Sequence, residues 1–266
     1  MESTMDSLTL KNRVEDGVAQ MRKLYQEFQD KQKGSDAVRE FLRKAFKDDA
    51  LLRRYLIGGK YRSTHAFDTL RSYAEVRFNK YPEMFPATLP PKEYLLRDNQ
   101  PIFGVLKGLK PYKITCGTRR TAGWDPDKCS IQELNILTLS VFERVLLDED
   151  GLNNGLIFVQ DNSGMGMAQA KHYTLGTMLR ILNIYWYSFP LKVKGVYFVN
   201  VPSVLTYVYD LKKPFMPKKL QERFLLTTTS RGFKDLHQHV SPDFLPKALG
   251  GNLEAREAID SEFMEL

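Results

Sequence analysis

Residues 188–223 read SFPLKVKGVYFVNVPSVLTYVYDLKKPFMPKKLQER. Two apolar and aromatic runs, at 196–199 and 204–209, alternate in this stretch with closely spaced lysines. Seven basic and two acidic residues give the stretch a charge of +5, out of a formal net charge of +7 for the whole chain. Such a segment is typical of a protein that meets both an apolar environment and a negatively charged one.

Length and composition limit the class of protein. With 266 residues, 42% of them hydrophobic, the chain can form one large domain or two modest domains with a real core. The chain has no run close to the roughly 18 apolar residues of a membrane span, and the start MESTMDSLTLKNRVEDG has no apolar segment typical of a signal peptide. Cys116 and Cys129 do not form a disulfide framework, which fits a reducing compartment. These features predict a cytoplasmic protein. Its positive charge favours an acidic partner: nucleic acid, an anionic membrane or an acidic protein.

The first third of the chain has a helical pattern. Residues 7–46 are rich in Leu, Arg, Lys, Glu and Gln, with apolar residues at helical spacing. Ser63 is placed to cap another helix, which Pro82 should end. Residues 82–100 carry four prolines, a composition typical of a linker. The sequence therefore predicts an N-terminal helical domain over residues 1–90 and a second domain over residues 91–266.

Beyond the linker, strand-like and helical patterns alternate. The sequence predicts a helix that opens with a Ser130–Glu133 capping box and a second helix over residues 168–187. Short runs rich in β-branched and aromatic residues predict strands, at 101–106, 155–161, 195–200 and 223–229. Since the second and third of these runs are almost continuously apolar, both faces of those strands should be covered. This pattern predicts an α/β sheet with helices packed on it.

Several motifs occur in the order and at the spacing of one known family. The first is LLRRYLIGGKYRSTHAFDTLRSYAEVRFNKYPEMF (51–85), and the others are SFPLKVKGVYFVN (188–200), KPF (213–215), K-L-x-E-R (219–223) and LPKALGGNL (245–253). In these motifs the chain resembles the CRAL-TRIO lipid-transfer proteins. The resemblance implies an all-helical N-terminal module and a C-terminal lipid-binding domain. In that domain a mixed β-sheet is the floor of an apolar cavity, helices are its walls and an amphipathic helix is a mobile lid.

The lid implied by the resemblance falls on PSVLTYVYDLKKPF. Pro202 is placed to start a helix, and Val204, Val208, Leu211 and Phe215 recur on one helical face. The resemblance further implies a set of ligand-binding residues: Phe158, Gln160, Tyr173, Ile181, Ile184, Tyr185, Phe189, Leu191, Val193, Val196, Val204, Val208 and Leu211. Gln160 is a lone amide at the end of an apolar run, and it needs a hydrogen-bond partner if buried. That partner is either a ligand hydroxyl or carbonyl, or a group within the protein.

By the same resemblance, a basic cluster should bind a membrane that contains phosphoinositide or another anionic lipid. It falls on Lys192, Lys194, Lys219 and Arg223. Alternate spacing in an extended segment should put the first two on one face, and the last two are four residues apart, as neighbours on a helix are. The sequence departs from the family in YLIGGK. Ile57 and Gly59 stand where a member of the family has the two arginines of an Arg-x-Arg motif. This departure affects selectivity for phosphoinositides more than binding to anionic membranes in general.

These features predict a monomeric protein, peripheral and transient at membranes, that binds a tocopherol-, retinoid- or carotenoid-like molecule and transfers it between membranes. The alternative is a phosphoinositide-binding regulatory or adaptor protein without net lipid transport. No cofactor other than the bound lipid and no metal is expected. The turn that follows residues 155–161 carries Gly164 and Gly166, but it has Gln169 where a dinucleotide site needs its third glycine. Motifs for a hydrolase, a metalloenzyme or a nucleic-acid-binding module are absent from the sequence, so neither an enzyme nor a nucleic-acid binder is predicted.

Overall fold

The structure is a computed structural model that describes residues 7–31, 33–97, 100–107, 115–147 and 149–261. The chain divides into two units. The first comprises Met1–Phe85 with Ile181–Lys192, and the second comprises Pro86–Arg180 with Val193–Leu266. The predicted boundary after residue 90 lies near the first of these breaks, whereas the return of residues 181–192 to the first unit was not predicted.

Within the described residues, the first unit contains four α-helices: α1 (Ser7–Asp30), α2 (Asp36–Ala45), α3 (Asp49–Gly58) and α4 (Ser63–Glu75). A π-helical turn, Val76–Lys80, extends α4 until just before Pro82, where the sequence predicted an end. The prediction that Ser63 caps this helix is wrong. Ser63 is already the first helical residue, and the capping position belongs to Arg62, whose side chain makes no capping hydrogen bond.

The helices of the first unit bury one shared apolar core. Its fully covered members include Met21, Leu42, Leu52, Leu56 and Leu70. Residues 181–192 join this unit through specific contacts. The Ser188 hydroxyl lies 2.9 Å from that of Ser72, and the Asn183 side chain donates to the Tyr81 hydroxyl at 3.0 Å. Their return to the helical unit therefore rests on hydrogen bonds between residues distant in sequence, which no local pattern shows.

The second unit is built on a five-stranded sheet. A two-residue ribbon, β1 (Leu96–Arg97) with β2 (Gln100–Pro101), precedes it. The sheet has the strand order β3-β4-β5-β6-β7, with β3 at Phe103–Leu106, β4 at Thr115–Arg120, β5 at Leu156–Asp161, β6 at Val193–Val201 and β7 at Phe224–Thr228. Strand β3 runs antiparallel to β4, and the other neighbours are parallel, so the sheet is mixed as expected.

Seven α-helices accompany the sheet in the described part of the chain: α5 (Ile131–Val145), α6 (Glu149–Asn154), α7 (Met167–Ala170), α8 (Leu175–Ile181), α9 (Thr206–Asp210), α10 (Lys218–Gln221) and α11 (Ala255–Ala258). The predicted capping box is present at the start of α5. The Glu133 amide donates to the Ser130 hydroxyl at 3.2 Å, and the Ser130 amide donates to the Glu133 carboxylate at 2.8 Å. The architecture is α/β with a helical N-terminal module, which confirms the predicted fold class.

Two predicted helices are interrupted. The segment 168–187 forms α7, a break, α8 and a π-turn at Leu182–Trp186. At the break the Thr174 hydroxyl accepts from the Thr177 amide at 3.1 Å, which is the bonding pattern of an N-terminal cap. The segment after Pro202 forms a 3-10 turn, the short helix α9 and a second 3-10 turn that contains Pro214. Proline restricts the residue before it and lacks an amide donor, so a regular helix does not continue there.

Neither Asp161, which ends β5, nor Ser163 caps the next helix. The Asp161 carboxylate accepts from the amide of Ser163 at 3.0 Å, from its hydroxyl at 2.7 Å and from the Asn200 side chain at 2.9 Å. Gly166 takes the capping position of α7 instead. Asp161 therefore stabilises the turn at the carboxyl ends of β5 and β6.

Candidate functional site

The two faces of the sheet are covered to different extents. On one face, Val159, Tyr197 and Val199 are buried under the C-terminal segment, which contributes Leu236, Val240, Leu245 and Leu249. On the other face, five apolar side chains are only half-buried, although β5 and β6 are interior strands. We call this side of the sheet the open face; its residues are Phe158, Val196, Phe198, Phe224 and Leu226.

The open face has two apolar walls within the second unit. Phe158 packs against a cluster that includes Trp124 and three residues of α5: Leu134, Leu137 and Val141. Phe198, Phe224 and Leu226 pack against Met165, Ala170, Val201, Leu205 and Tyr209. Tyr173 packs against both clusters. The arrangement is strongly aromatic, because the Phe198 ring lies 5.1 Å from the Phe224 ring and 5.4 Å from the Tyr209 ring.

A bulge in β6 brings Val201 to the open face. Asn200 has a positive φ of 55°, and the register of β6 against β7 shifts between Phe198 and Val201. Without the shift, Val201 and Phe198 would lie on opposite faces, since side chains alternate along a strand. The bulge therefore adds an apolar residue to the wall next to α9.

The 202–216 segment has a buried side and an exposed side. The buried side carries Leu205 and Tyr209, followed by Lys212. The exposed side carries Tyr207, Leu211 and Phe215, which are 55%, 69% and 52% exposed. Leu211 and Phe215 are thus exposed here, and the predicted contact of Leu211 with ligand stays a prediction. Their spacing from Val204 and Val208 assumed one regular helix, and that helix is broken; the side chains of these two valines lie outside the described residues.

The predicted ligand-binding residues are divided between the two units. Phe158 and Val196 are on the open face, Tyr173 packs beside it, and Val193 begins the same strand as Val196. Ile181, Ile184, Tyr185, Phe189 and Leu191 belong to the first unit. There the Phe189 ring packs 5.6 Å from the Tyr73 ring and 6.0 Å from the Tyr185 ring.

Gln160 is buried and has a partner inside the protein. Its side-chain amide donates to the side-chain oxygen Oδ1 of Asn162 at 2.8 Å. The same oxygen also accepts from the Thr121 hydroxyl at 3.2 Å. The Asn162 amide donates in turn to the backbone oxygens of Gln160 and Val199, both at 3.1 Å. Of the two roles considered for Gln160, the internal one has a visible partner, and a contact with ligand stays a prediction.

The four predicted basic residues occupy different settings. Lys194 is exposed at an irregularity of β6, and Lys219 is exposed on α10. Arg223 is half-buried and donates to the Val193 carbonyl. Since α10 ends at Gln221, Lys219 and Arg223 do not form a pair along one helix. Lys192 belongs to the first unit and is half-buried.

Lys212 was not recognised from the sequence as a site residue. It is buried beside the open face, donates to the Tyr173 carbonyl and lies 5.8 Å from the centre of the Tyr209 ring. Burial lowers the pKa of its ammonium group below the ordinary value. Leu205, Tyr209 and Lys212 follow one another at intervals of four and three residues. This helical spacing is the signal that could have placed Lys212 on the inward side.

The described residues contain neither a bilayer-crossing helix nor a metal-binding group of side chains. No helix among them combines the length and the apolar character that crossing a bilayer requires. They also contain no group of three or more His, Cys, Asp or Glu side chains that could hold a metal ion. The two closest histidines in sequence stack on rings instead: His239 lies 4.9 Å from Tyr197, and His237 lies 6.3 Å from Phe233.

Comparison with known proteins places this architecture in a family. Mouse (Mus musculus) alpha-tocopherol transfer protein-like is 27% identical over 223 residues, which are 81% of this chain and 63% of that protein. Human (Homo sapiens) clavesin-2 is 28% identical over 225 residues, 81% of this chain and 68% of that protein. The chain thus spans about two thirds of the length of these relatives. The match to a crystal structure of Sfh5 covers 80% of this chain and 76% of the Sfh5 chain, with 18% sequence identity and a TM-score of 0.48. Residues 99–251, more than half of the chain, match the CRAL/TRIO domain, and the protein therefore belongs to the CRAL/TRIO domain family.

Proposed function

We propose that this protein binds one hydrophobic small molecule against the open face of the sheet and transfers it between membranes. The observation that carries the proposal is the incomplete burial of five apolar side chains on one face of the sheet, three of them on the interior strands β5 and β6. A monomeric protein ordinarily covers such a surface, and an apolar concave site with a few polar groups is typical of small-molecule binding. The rings of Phe158, Phe198 and Phe224 suit a ligand with a ring or a polyene, such as a tocopherol, a retinoid or a carotenoid. The name of the mouse relative, alpha-tocopherol transfer protein-like, supports the same class.

The physical chemistry of such a ligand requires contact with a membrane. Removing roughly 500 Å² of lipid surface from water at about 25 cal/mol per Å² stabilises a complex by on the order of 12 kcal/mol. A bilayer offers almost the same stabilisation, so the protein gains little by extracting the ligand. Moving the ligand through water would cost about 0.8 kcal/mol for each exposed CH₂ group. The protein should therefore dock on the membrane and exchange the ligand there.

The exposed side of the 202–216 segment supports docking. Tyr207, Leu211 and Phe215 present apolar side chains to solvent next to exposed Lys213. Such a surface can insert shallowly at the level of the lipid head groups while lysines stay with the anionic phosphates. Each lysine near an anionic leaflet contributes about 1 kcal/mol. Docking of this strength is reversible, as repeated delivery requires.

Analysis of the bound lipid tests the proposal directly. Purified protein is expected to carry about one extractable lipid per chain, identified by mass spectrometry. Val196→Trp should reduce the occupancy strongly, because it places an indole on the open face. Glu222→Trp, which adds the same group at an exposed position, should not change occupancy. Folding of both variants is checked by thermal unfolding.

Two results would contradict the proposal. Full occupancy in folded Val196→Trp protein would remove the open face as the site. Failure of wild-type protein to carry lipid, or to move either a fluorescent tocopherol analogue or a fluorescent fatty acid between vesicles, would remove the transfer function. Binding to phosphoinositide vesicles without transfer would favour the regulatory or adaptor alternative.

A further inference from the structure

Lys212 is a cation buried in an otherwise apolar wall. It is 8% exposed and follows Leu205 and Tyr209 on the inward side of the 202–216 segment. Those two residues pack with Phe198, Phe224 and Leu226 of the open face. The next residue, Lys213, is exposed. The chain thus directs one of two consecutive lysines to water and the other to the site.

The ammonium group of Lys212 has fewer partners than it can use. It can donate three hydrogen bonds, and its one recorded acceptor is the carbonyl oxygen of Tyr173. Among the residues that the structure describes, no carboxylate lies within ion-pair distance of it; the adjacent Asp210 is exposed. A buried charge without a counter-ion is costly, and a charge of this kind ordinarily pairs or loses its proton. Burial also lowers the pKa of Lys212 below its ordinary value.

A second polar atom near the same wall is unsatisfied. The Tyr173 hydroxyl is buried and has no hydrogen-bond partner within the described ranges. The Tyr173 ring packs against both apolar clusters of the open face. Buried polar groups nearly always have a partner, so an ammonium group with one acceptor and a hydroxyl with none beside the same wall point to a ligand group that supplies what the protein lacks.

We propose that the molecule bound at the open face is a lipid carboxylic acid, whose carboxylate pairs with Lys212 while its chain lies along the sheet. This inference rests on the proposed function and specifies its ligand class. One buried ammonium balances one carboxylate. A phosphate monoester would bring a second negative charge, and the described wall holds no second buried cation. The Tyr173 hydroxyl offers a further hydrogen bond to the head group or to a polar group near it.

Fluorescence of cis-parinaric acid, compared with that of its methyl ester, tests the inference. The two probes share one polyene chain and differ in charge. Wild-type protein should bind the acid at least about 10-fold more tightly than the ester, as expected for a charge-assisted hydrogen bond in a dry site. Lys212→Met should weaken binding of the acid about 10- to 100-fold and leave binding of the ester unchanged. The matched control Lys234→Met, at an exposed lysine outside the 202–216 segment, should change neither.

The outcomes separate this inference from the proposed function. Equal affinity of wild-type protein for acid and ester, or equal affinity of wild type and Lys212→Met for the acid, overturns the carboxylate assignment and leaves lipid binding intact. Absence of binding for both probes overturns the two proposals together. If Lys212→Met does not fold, the comparison of acid and ester on wild-type protein still tests the carboxylate assignment. Tyr173→Phe then provides the second variant, with an expected loss of about 3- to 10-fold for the acid alone.

Discussion

At the scale of single residues, Gly58 shows how a contact with a residue distant in sequence leaves no room for a side chain. A Cβ atom at this position would lie 1.8 Å from the carbonyl oxygen of Pro190. Backbone atoms do not move as readily as the end of a side chain. Gly58→Ala should therefore lower the free energy of unfolding by about 1 to 3 kcal/mol, as overpacking does. Gly176→Ala is the matched control, because its Cβ would meet only the Thr174 hydroxyl at 3.7 Å. Equal unfolding midpoints in urea for the two variants would contradict the close approach.

Gln160 tests whether a buried amide serves the fold or the ligand. Gln160→Leu removes the donor to Asn162 and leaves that side chain with one partner fewer. Unfolding should become easier by about 1 to 3 kcal/mol. If Gln160 also contacts ligand, the dissociation constant for a lipid with a hydroxyl or carbonyl should rise about 5- to 100-fold. A stability loss with unchanged affinity would restrict Gln160 to the internal network, and unchanged stability would contradict the network itself.

Glu40 gives the clearest titration. A side-chain hydrogen bond from Arg43 is the main cause that lowers its pKa from 4.5 to about 2. Because the folded-state pKa is depressed, the interaction stabilises the fold fully above pH 4.5, and this stabilisation is lost as the pH falls toward 2. Arg43→Gln should return the pKa of Glu40 toward its ordinary value. Carboxyl carbon NMR measures this shift, and an unchanged titration would show that the ion pair does not persist in water.

At the scale of elements, the 202–216 segment has a buried side, which the proposed function assigns to the ligand, and an exposed side, which it assigns to the membrane. Leu211→Asn with Phe215→Asn should reduce binding to anionic vesicles about tenfold for each residue, since each loses about 1.4 kcal/mol of apolar insertion. Thermal stability should stay nearly constant, because both side chains are exposed. Leu147→Asn is the matched control: Leu147 is 63% exposed in a different part of the chain. The assignment of this side to the membrane fails if all three substitutions weaken binding equally.

Elements with a local signal were predictable, and elements set by distant contacts were not. The capping box of α5 follows from Ser130 and Glu133 alone, and β5 and β6 follow from continuous apolar runs. Strand β4 was missed because TCGTRR is polar and contains glycine; its place comes from pairing with β3 and β5. The buried side of the 202–216 segment was not predicted, because the 3-10 turns change the angle between successive side chains. Lys212 was missed for this reason.

At the scale of the whole molecule, the family resemblance predicted the architecture, whereas the residues that form the open face became clear only from the structure. The mixed sheet agrees with the CRAL/TRIO expectation. The division of the predicted ligand residues between two units has no counterpart in local patterns, because it depends on where residues 181–192 pack. Arg223 illustrates the same point: its charge suggested a membrane contact, and its hydrogen bond to Val193 shows that it also supports the start of β6.

The net charge of +7 leads to a prediction about docking of the whole protein. Lys194 and Lys219 are the exposed members of the predicted basic set. Replacing both by Ala should weaken binding to phosphatidylserine vesicles about 30-fold at low salt, since each contributes about 1 kcal/mol. Salt should weaken wild-type binding in the same way, because screening acts on exposed charges. Arg223 is kept in this variant, so that the hydrogen bond to Val193 is not lost with the charge.

The control for this prediction removes equal charge elsewhere. Lys128→Ala with Lys234→Ala changes the net charge by the same amount at two exposed positions outside the predicted basic set. If both double variants lose the same affinity, total charge alone governs docking, and the basic set has no special role. If only Lys194 and Lys219 matter, vesicles with phosphoinositide are compared with phosphatidylserine vesicles of equal charge. Equal binding to the two would mean that replacement of the family's arginines by Ile57 and Gly59 has removed selectivity for the head group and left general attraction to anionic membranes.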